Sequence, residues 1–234
     1  LMSVRKKNIG LIVFSRFNSV RFPGKALFKI EGRELLGHVL DRAKKIGSEF
    51  KVVVATSLQE DDDEIEKFAI SENVEVYRGS KNNIIERALG CCKRFNFTAF
   101  ARICGDRPLF CPNIAREIVL FHKKESMQLT TNIKIKTYPS GFTFEVIDVD
   151  TLIEVRKEKL HKEDLEHITN FFYRNSKNFK IYNFESPIKR ISNLKCTVDY
   201  PEDVKKISDI MKNKQIAPVD LTFNDVIKGL KKYS

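Results

Sequence analysis

The most reactive-looking stretch of the chain is residues 15–25, Ser15-Arg16-Phe17-Asn18-Ser19-Val20-Arg21-Phe22-Pro23-Gly24-Lys25. It follows a continuous apolar run, 9–14, that reads as a buried strand. Three cations, a hydroxyl and a glycine just past a strand suit a polyphosphate, because ligands of parallel α/β folds sit beyond the carboxyl ends of strands. It is not a Walker P-loop: Gly24-Lys25 lacks the upstream glycine and the following Ser/Thr. The same residues also read as a plain basic surface loop. Two acids recur in similar positions. Asp106 follows the apolar run 99–104 with Gly105 beside it, and Asp199 stands just before a helix signal. Two such carboxylates could hold Mg²⁺ against a triphosphate. Either alone could be a helix cap.

The elements that must position these groups alternate. Periodicity predicts strands at 9–14, 51–55, 74–77 and 99–104, with helices at 35–45, 61–72, 84–94 and 113–124, the last capped by Asn113. That order implies a largely parallel α/β sheet flanked by helices. Beyond residue 125 the pattern changes to strands at 128–136, 142–149, 179–184 and 195–198. Helices are predicted there at 164–175, 201–212 and 222–232. We expect a single domain over 1–234, with an α/β half to about 125, a β-rich inserted region over about 126–195, and a returning segment to 234.

Composition narrows the classes. The chain has 234 residues, 42 Lys+Arg against 31 Asp+Glu, a net charge of +11, and 42% hydrophobic residues, so it is not globally disordered. The charge excess asks for an anionic partner: nucleic acid, an acidic membrane surface or a phosphorylated metabolite. No apolar run is long enough to span a membrane. The basic start and the short run 9–14 do not make a secretory signal, and the expected setting is the cytoplasm. Cys91, Cys92, Cys104, Cys111 and Cys196 have no metal-ligand spacing and read as core thiols. Lys157, Lys159 and Lys162 read as solvated surface, and Phe171, Phe172 and Tyr173 as packing residues.

The motifs together resemble the CMP-sugar synthetases and related cytidylyltransferases. Arg16, Ser19, Arg21, Pro23, Gly24 and Lys25 match their R-x-x-S-x-R-x-P-G-K signature. The segments Val54-Ala55-Thr56-Ser57, Arg78-Gly79-Ser80, Ile84-Ile85-Glu86-Arg87, 102–108, 138–146, Glu166-His167-Ile168-Thr169 and 197–203 are similar to the spore coat polysaccharide branch, in order. The resemblance implies a glycosyltransferase-A-like, Rossmann-like nucleotidyltransferase fold. It implies CMP transfer from CTP to a sugar or related polar metabolite, with Mg²⁺ and release of pyrophosphate, for surface polysaccharide assembly. By position, Arg16, Ser19, Arg21, Gly24 and Lys25 would hold the triphosphate, and Asp106 and Asp199 the metal. Arg78 and Arg102 would lie near the nucleotide, and Tyr138, Ser140, Gly141, Glu145 and His167 near the acceptor. The resemblance also implies a homodimer built through about 130–190.

Departures bear mainly on the acceptor. Ser140 and Thr143 replace two aspartates of the branch, and Arg107 replaces a cysteine. Ser15 and Asn18 replace the more usual Ala and Gly in the loop. His167, placed on the helix 164–175, reads either as an acceptor-side base or as a structural histidine. Competing readings are the same chemistry with GTP or UTP, a nucleotide binder without turnover, and a basic nucleic-acid-binding protein. The last lacks an RRM-type aromatic signature, a zinc finger and a recognition helix.

Overall fold

The computed structural model describes residues 7–212 and 215–233. The basic start, residues 1–6, lies outside the described residues. The first half comprises β1 (Ile9–Phe14), β2 (Lys29–Ile30), β3 (Arg33–Glu34), α1 (Leu35–Lys44), β4 (Val52–Ser57), α2 (Asp63–Ser71), β5 (Glu75–Gly79), α3 (Ile84–Phe95), β6 (Ala99–Cys104) and α4 (Pro112–Lys124). The second comprises β7 (Leu129–Thr131), β8 (Glu145–Asp148), α5 (Val149–Lys157), α6 (Lys162–Glu166), α7 (Asn170–Arg174), β9 (Ile181–Asn183), α8 (Asp203–Met211) and α9 (Phe223–Leu230).

A seven-stranded sheet runs β5-β4-β1-β6-β8-β7-β9. The strands β5, β4, β1 and β6 are mutually parallel. β8 is antiparallel to both its neighbours, and β7 and β9 are parallel. Side chains of a strand alternate between faces, and β1 shows the result. Leu11 and Val13 pack with Leu36, Val39 and Leu40 of α1 and Ile118 and Val119 of α4. Ile12 and Phe14 pack with Ile85, Ala88 and Leu89 of α3 and Leu152 and Val155 of α5. A third cluster joins Tyr138, Phe142, Cys196 and Val198 to α8 and α9. Burial on both faces explains why the first strands read as unbroken apolar runs. The expected mostly parallel α/β sheet flanked by helices is therefore the architecture found.

The second half departs from the sequence pattern in ways that have local causes. The expected strand 128–136 ends at Thr131. There the Asn132 side chain takes over the ladder's role, accepting from Phe144 N at 2.7 Å and donating to Phe142 O at 2.9 Å. The expected strand 142–149 shrinks to β8, and an unforeseen helix, α5, follows it. Asp148 caps that helix by accepting from Thr151 N at 3.0 Å. The expected helix 164–175 is two helices, broken at His167, whose φ of −131° and ψ of 94° are extended. The break turns Ile168 into the core while Arg174 reaches back to clasp buried Asp164 with two hydrogen bonds of 3.0 and 2.7 Å.

Other corrections are smaller. Helix α4 begins at Pro112 with Cys111 as its cap residue, so Asn113 is inside it. Segment 195–198 is not a ladder strand. It crosses the sheet end, held by Cys196 N to Ser140 O at 2.9 Å and Val198 N to Asp106 O at 3.0 Å. The hairpin β2–β3 turns through Glu31 and Gly32, both at positive φ, as a two-residue hairpin prefers.

Gly141 sits where that crossing segment meets the 138–144 loop. Its φ is +103°, and an added Cβ would collide with Cys196 Sγ. Gly141→Ala is expected to destabilise the fold by on the order of 2 kcal/mol, read as a lowered urea midpoint with unchanged m.

Candidate active site

Strand order reverses between β1 and β6, and a cleft opens there at their carboxyl ends. Phe14 and Cys104 are register partners at the strand ends. Gly105 N then donates to Phe14 O at 2.9 Å. A Cβ on Gly105 would lie 2.9 Å from Ser15 Oγ, so only glycine lets the two strand ends close up. The cleft holds about 490 Å³. Its outer wall is the 15–26 loop, and its far wall carries Ile84, Arg87, Arg102, Glu166 and His167.

The loop is shaped by Gly24, at φ +72°, whose N–H donates to Phe17 O at 2.9 Å. This turn sends Lys25 inward. Its Nζ donates to Asp106 Oδ2 at 3.2 Å and to Val198 O at 2.6 Å, and only 12% of the side chain is exposed. Phe17 N donates to buried Asp62 at 2.6 Å, and Asp62 also receives the N–H of Ser57 at 2.9 Å. Asn18 donates to Asp61. These bonds pin the loop to the segment after β4. Arg21 closes on Asp199 at 2.5 Å and lies 5.2 Å from the Tyr200 ring centroid. Arg16 is exposed and donates to Lys81 O at 3.2 Å, and Ser19 lines the cleft between them.

Asp106 and Asp199 are brought together by backbone as well as by charge. Val198, next to Asp199, gives its N–H to Asp106 O and its carbonyl to Lys25. Asp199 accepts from Thr197 Oγ1 at 2.9 Å and pairs with Lys195 at 3.0 Å. Partial burial pushes the Asp199 carboxyl up, but Lys195 and Thr197, with the Lys25 charge, outweigh it and bring it down to about 2. An ionised carboxylate there needs to lose no proton to bind a cation. Among the described residues no group of three or more His, Cys, Asp or Glu forms a metal nest. Two hard carboxylate oxygens beside a cationic loop fit a hydrated divalent ion completed by oxygens of a bound anion.

Beneath the far wall lies a buried polar stack. Arg102 and Glu145 are register partners on β6 and β8 and pair at 2.8 Å. Tyr173 Oη donates to Glu145 Oε1 at 2.6 Å, and Thr131 Oγ1 lies 2.8 Å from the same hydroxyl. Burial pushes Glu145 up, yet Arg102, Tyr173 and Thr169 hold it below the usual carboxylate range. Arg102 reaches the cleft, whereas Glu145 is buried behind it at 1% exposure.

The residues expected at the site divide accordingly. Arg16, Ser19, Arg21, Lys25, Asp106, Arg102 and His167 all line one cleft. Asp199 joins them through Arg21. Arg78 does not reach the wall. Its guanidinium staples the segment after β4, bonding Ser57 O, Gln59 O, Asp63 and Glu66 at 2.5 to 2.9 Å. Tyr138 packs on Phe223, and Ser140 and Gly141 brace the segment that carries Asp199. His167 stands exposed on the cleft wall at the end of α6 rather than within a helix. Lys195 escaped the sequence reading, although its spacing of four from Asp199 was visible. Tyr173 was read as packing and is a hydrogen-bond donor as well.

A doubly wound sheet whose switch-point cleft gathers a cationic loop and two aspartates is the architecture of a nucleotidyltransferase. The chain belongs to the cytidylyltransferase family, whose model matches residues 11–223. It is 30% identical over 220 residues to an uncharacterized protein of Methanocaldococcus jannaschii, across 92% of this chain and 87% of the relative. It is 26% identical over 206 residues to the spore coat polysaccharide biosynthesis protein SpsF of Bacillus subtilis, across 86% of this chain and 85% of that protein. The fold superposes on a cytidylyltransferase from Leptospira borgpetersenii with a TM-score of 0.89 at 25% identity, covering 97% and 95% of the two chains.

Two measurements probe the site's electrostatics. The folded Asp199 carboxyl titrates near 2 against an ordinary 3.8, so its contribution is complete above pH 3.8 and lost as pH falls toward 2. Asp199→Asn should flatten the acid limb of the stability–pH curve in that window by about 2 kcal/mol, measured by urea unfolding at stepped pH. Glu145→Gln should leave buried Arg102 uncompensated and destabilise the protein by about 3–5 kcal/mol, visible in the same assay at neutral pH.

Proposed function

We propose that the protein transfers CMP from CTP to a hydroxyl of a sugar or related polar metabolite, releasing pyrophosphate. The observation that carries this reading is the convergence of Arg16, Arg21 and Lys25 on the cleft that also presents Asp106, with Asp199 joined to it through Arg21. The family of the chain supports cytidine as the base, and the name of the Bacillus subtilis relative supports a place in surface polysaccharide assembly.

In this reading the triphosphate lies along the 15–25 loop. The acceptor oxygen attacks the α-phosphorus, a P–O bond forms, and the bond to the leaving pyrophosphate breaks. Such a reaction needs positioning and charge neutralisation rather than a covalent nucleophile. Lys25 and Arg21 would then leave their carboxylate partners, in part, for phosphate oxygens, and the freed faces of Asp106 and Asp199 would hold Mg²⁺. The bound metal would supply Lewis-acid stabilisation of phosphate charge. Arg16, exposed at the mouth, would grip the outer phosphates. Glu166 and His167 on the far wall are the groups placed to receive the acceptor's hydroxyl proton.

The test is pyrophosphate release with each of the four nucleoside triphosphates, Mg²⁺ and a panel of sugar acceptors. CTP should support turnover best. Lys25→Ala and Asp106→Asn should each lower kcat/KM by about a thousandfold, the loss expected when one charged group is removed from a preorganised site. Unchanged turnover in both variants would sink the assignment.

A further inference from the structure

Arg87 ends the segment Ile84-Ile85-Glu86-Arg87. It sits in the first turn of α3 and is 4% exposed, yet it borders the cleft. Its Nη1 donates to Ser80 O at 2.6 Å, and its Nε is buried without a partner. Its Cζ lies 5.8 Å from the Phe14 ring centroid. Among the described residues no carboxylate pairs with it. The acid whose field reaches it, Asp62, is already occupied by Phe17 N and by the Ser57 N–H and hydroxyl. A buried guanidinium without an acid is expensive. Burial, and the like charge of Arg16, lower its affinity for its proton.

The neighbourhood adds further positive charge. Arg16 donates to Lys81 O while Arg87 donates to Ser80 O, so two guanidinium groups rest on successive carbonyls and repel each other. Ile84, the first residue of α3, also borders the cleft, so the positive end of that helix opens on the same space. All three sources of positive potential face one ligand space, and the buried one has no counter-ion.

We propose that Arg87, with Arg16, takes a phosphate oxygen of the bound nucleotide, and that the inner wall is electrostatically incomplete until that anion arrives. This rests on the nucleotide reading of the cleft. A nucleotide phosphate is favoured over an acceptor's anion because Arg16 belongs to the same loop as Arg21 and Lys25. Binding replaces a repulsive pair of cations by a charge-assisted clamp.

The test is equilibrium binding of CTP and of cytidine to the wild type, Arg87→Met, Arg87→Lys and Lys25→Ala, without acceptor. Arg87→Met should bind CTP about tenfold or more weakly and cytidine within about twofold of wild type. Arg87→Lys should fall between. Arg87→Met should also gain less in Tm from saturating CTP than the wild type does. Should Arg87→Met fail to fold, Arg87→Gln, which keeps a donor toward Ser80 O, carries the same expectation. CTP affinity unchanged in the Arg87 variants but reduced in Lys25→Ala would overturn the role of Arg87 alone. So would an equal loss of cytidine and CTP, which marks a structural role, or intact CTP binding with lost turnover, which marks an acceptor contact. If the wild type binds no CTP, the nucleotide reading fails and this inference fails with it.

Discussion

The ammonium group of Lys25 holds together three segments that are far apart in the chain. It bonds Asp106 at the end of β6 and the carbonyl of Val198 beside Asp199, and it is carried by the loop after β1. Two carboxylates at the mouth of one cleft repel each other unless a cation stands near them. With only 12% of its side chain exposed, Lys25 does this where water screens poorly. The turn at Gly24 matters because it points this side chain inward, and the crossing segment 195–198 matters because it supplies the carbonyl. On the loop side of the cleft, Lys25 and Arg21 therefore neutralise Asp106 and Asp199.

The far side is balanced differently. Arg102 and Glu145 meet because β8 runs antiparallel beside β6 in one register, and Tyr173 and Thr131 complete the stack. Among the fully buried side-chain polar atoms of this stack, Arg102 Nε alone lacks a partner. Arg87, a few residues into α3, is the contrast: buried, cationic and without a carboxylate. A protein tolerates such a group when a ligand supplies the missing charge, at the expense of stability while the site is empty. If Arg87 meets a nucleotide phosphate as proposed, stability and ligand affinity would be set by different arginines of the same wall.

Much of the first half was legible from residue order. Apolar runs buried on both faces announced β1, β4 and β6, and helical spacing announced α1, α3 and α4, because these elements satisfy local pattern and tertiary burial together. The second half was harder to read. Its strands are three and four residues long, and its breaks depend on single side chains: Asn132 replacing ladder bonds, Asp148 capping α5, and Arg174 clasping Asp164 across the kink at His167. Those contacts span intervals that no periodicity records.

The sequence by itself determined the chemistry available: a loop of cations after the first strand, one aspartate after a later strand and another ahead of a helix, and the order of motifs that marks the family. Which of the basic residues face the cleft was decided only by the tertiary structure. Arg78 and Arg87 both lie in motifs near the end of β5, yet Arg78 turns away to Asp63 and Glu66 while Arg87 enters the cleft wall. The reason is that a charged side chain goes to whatever partners the fold brings within reach. For Arg78 those partners are acids on α2, and for Arg87 the partner is the Ser80 carbonyl, with no acid paired to it among the described residues.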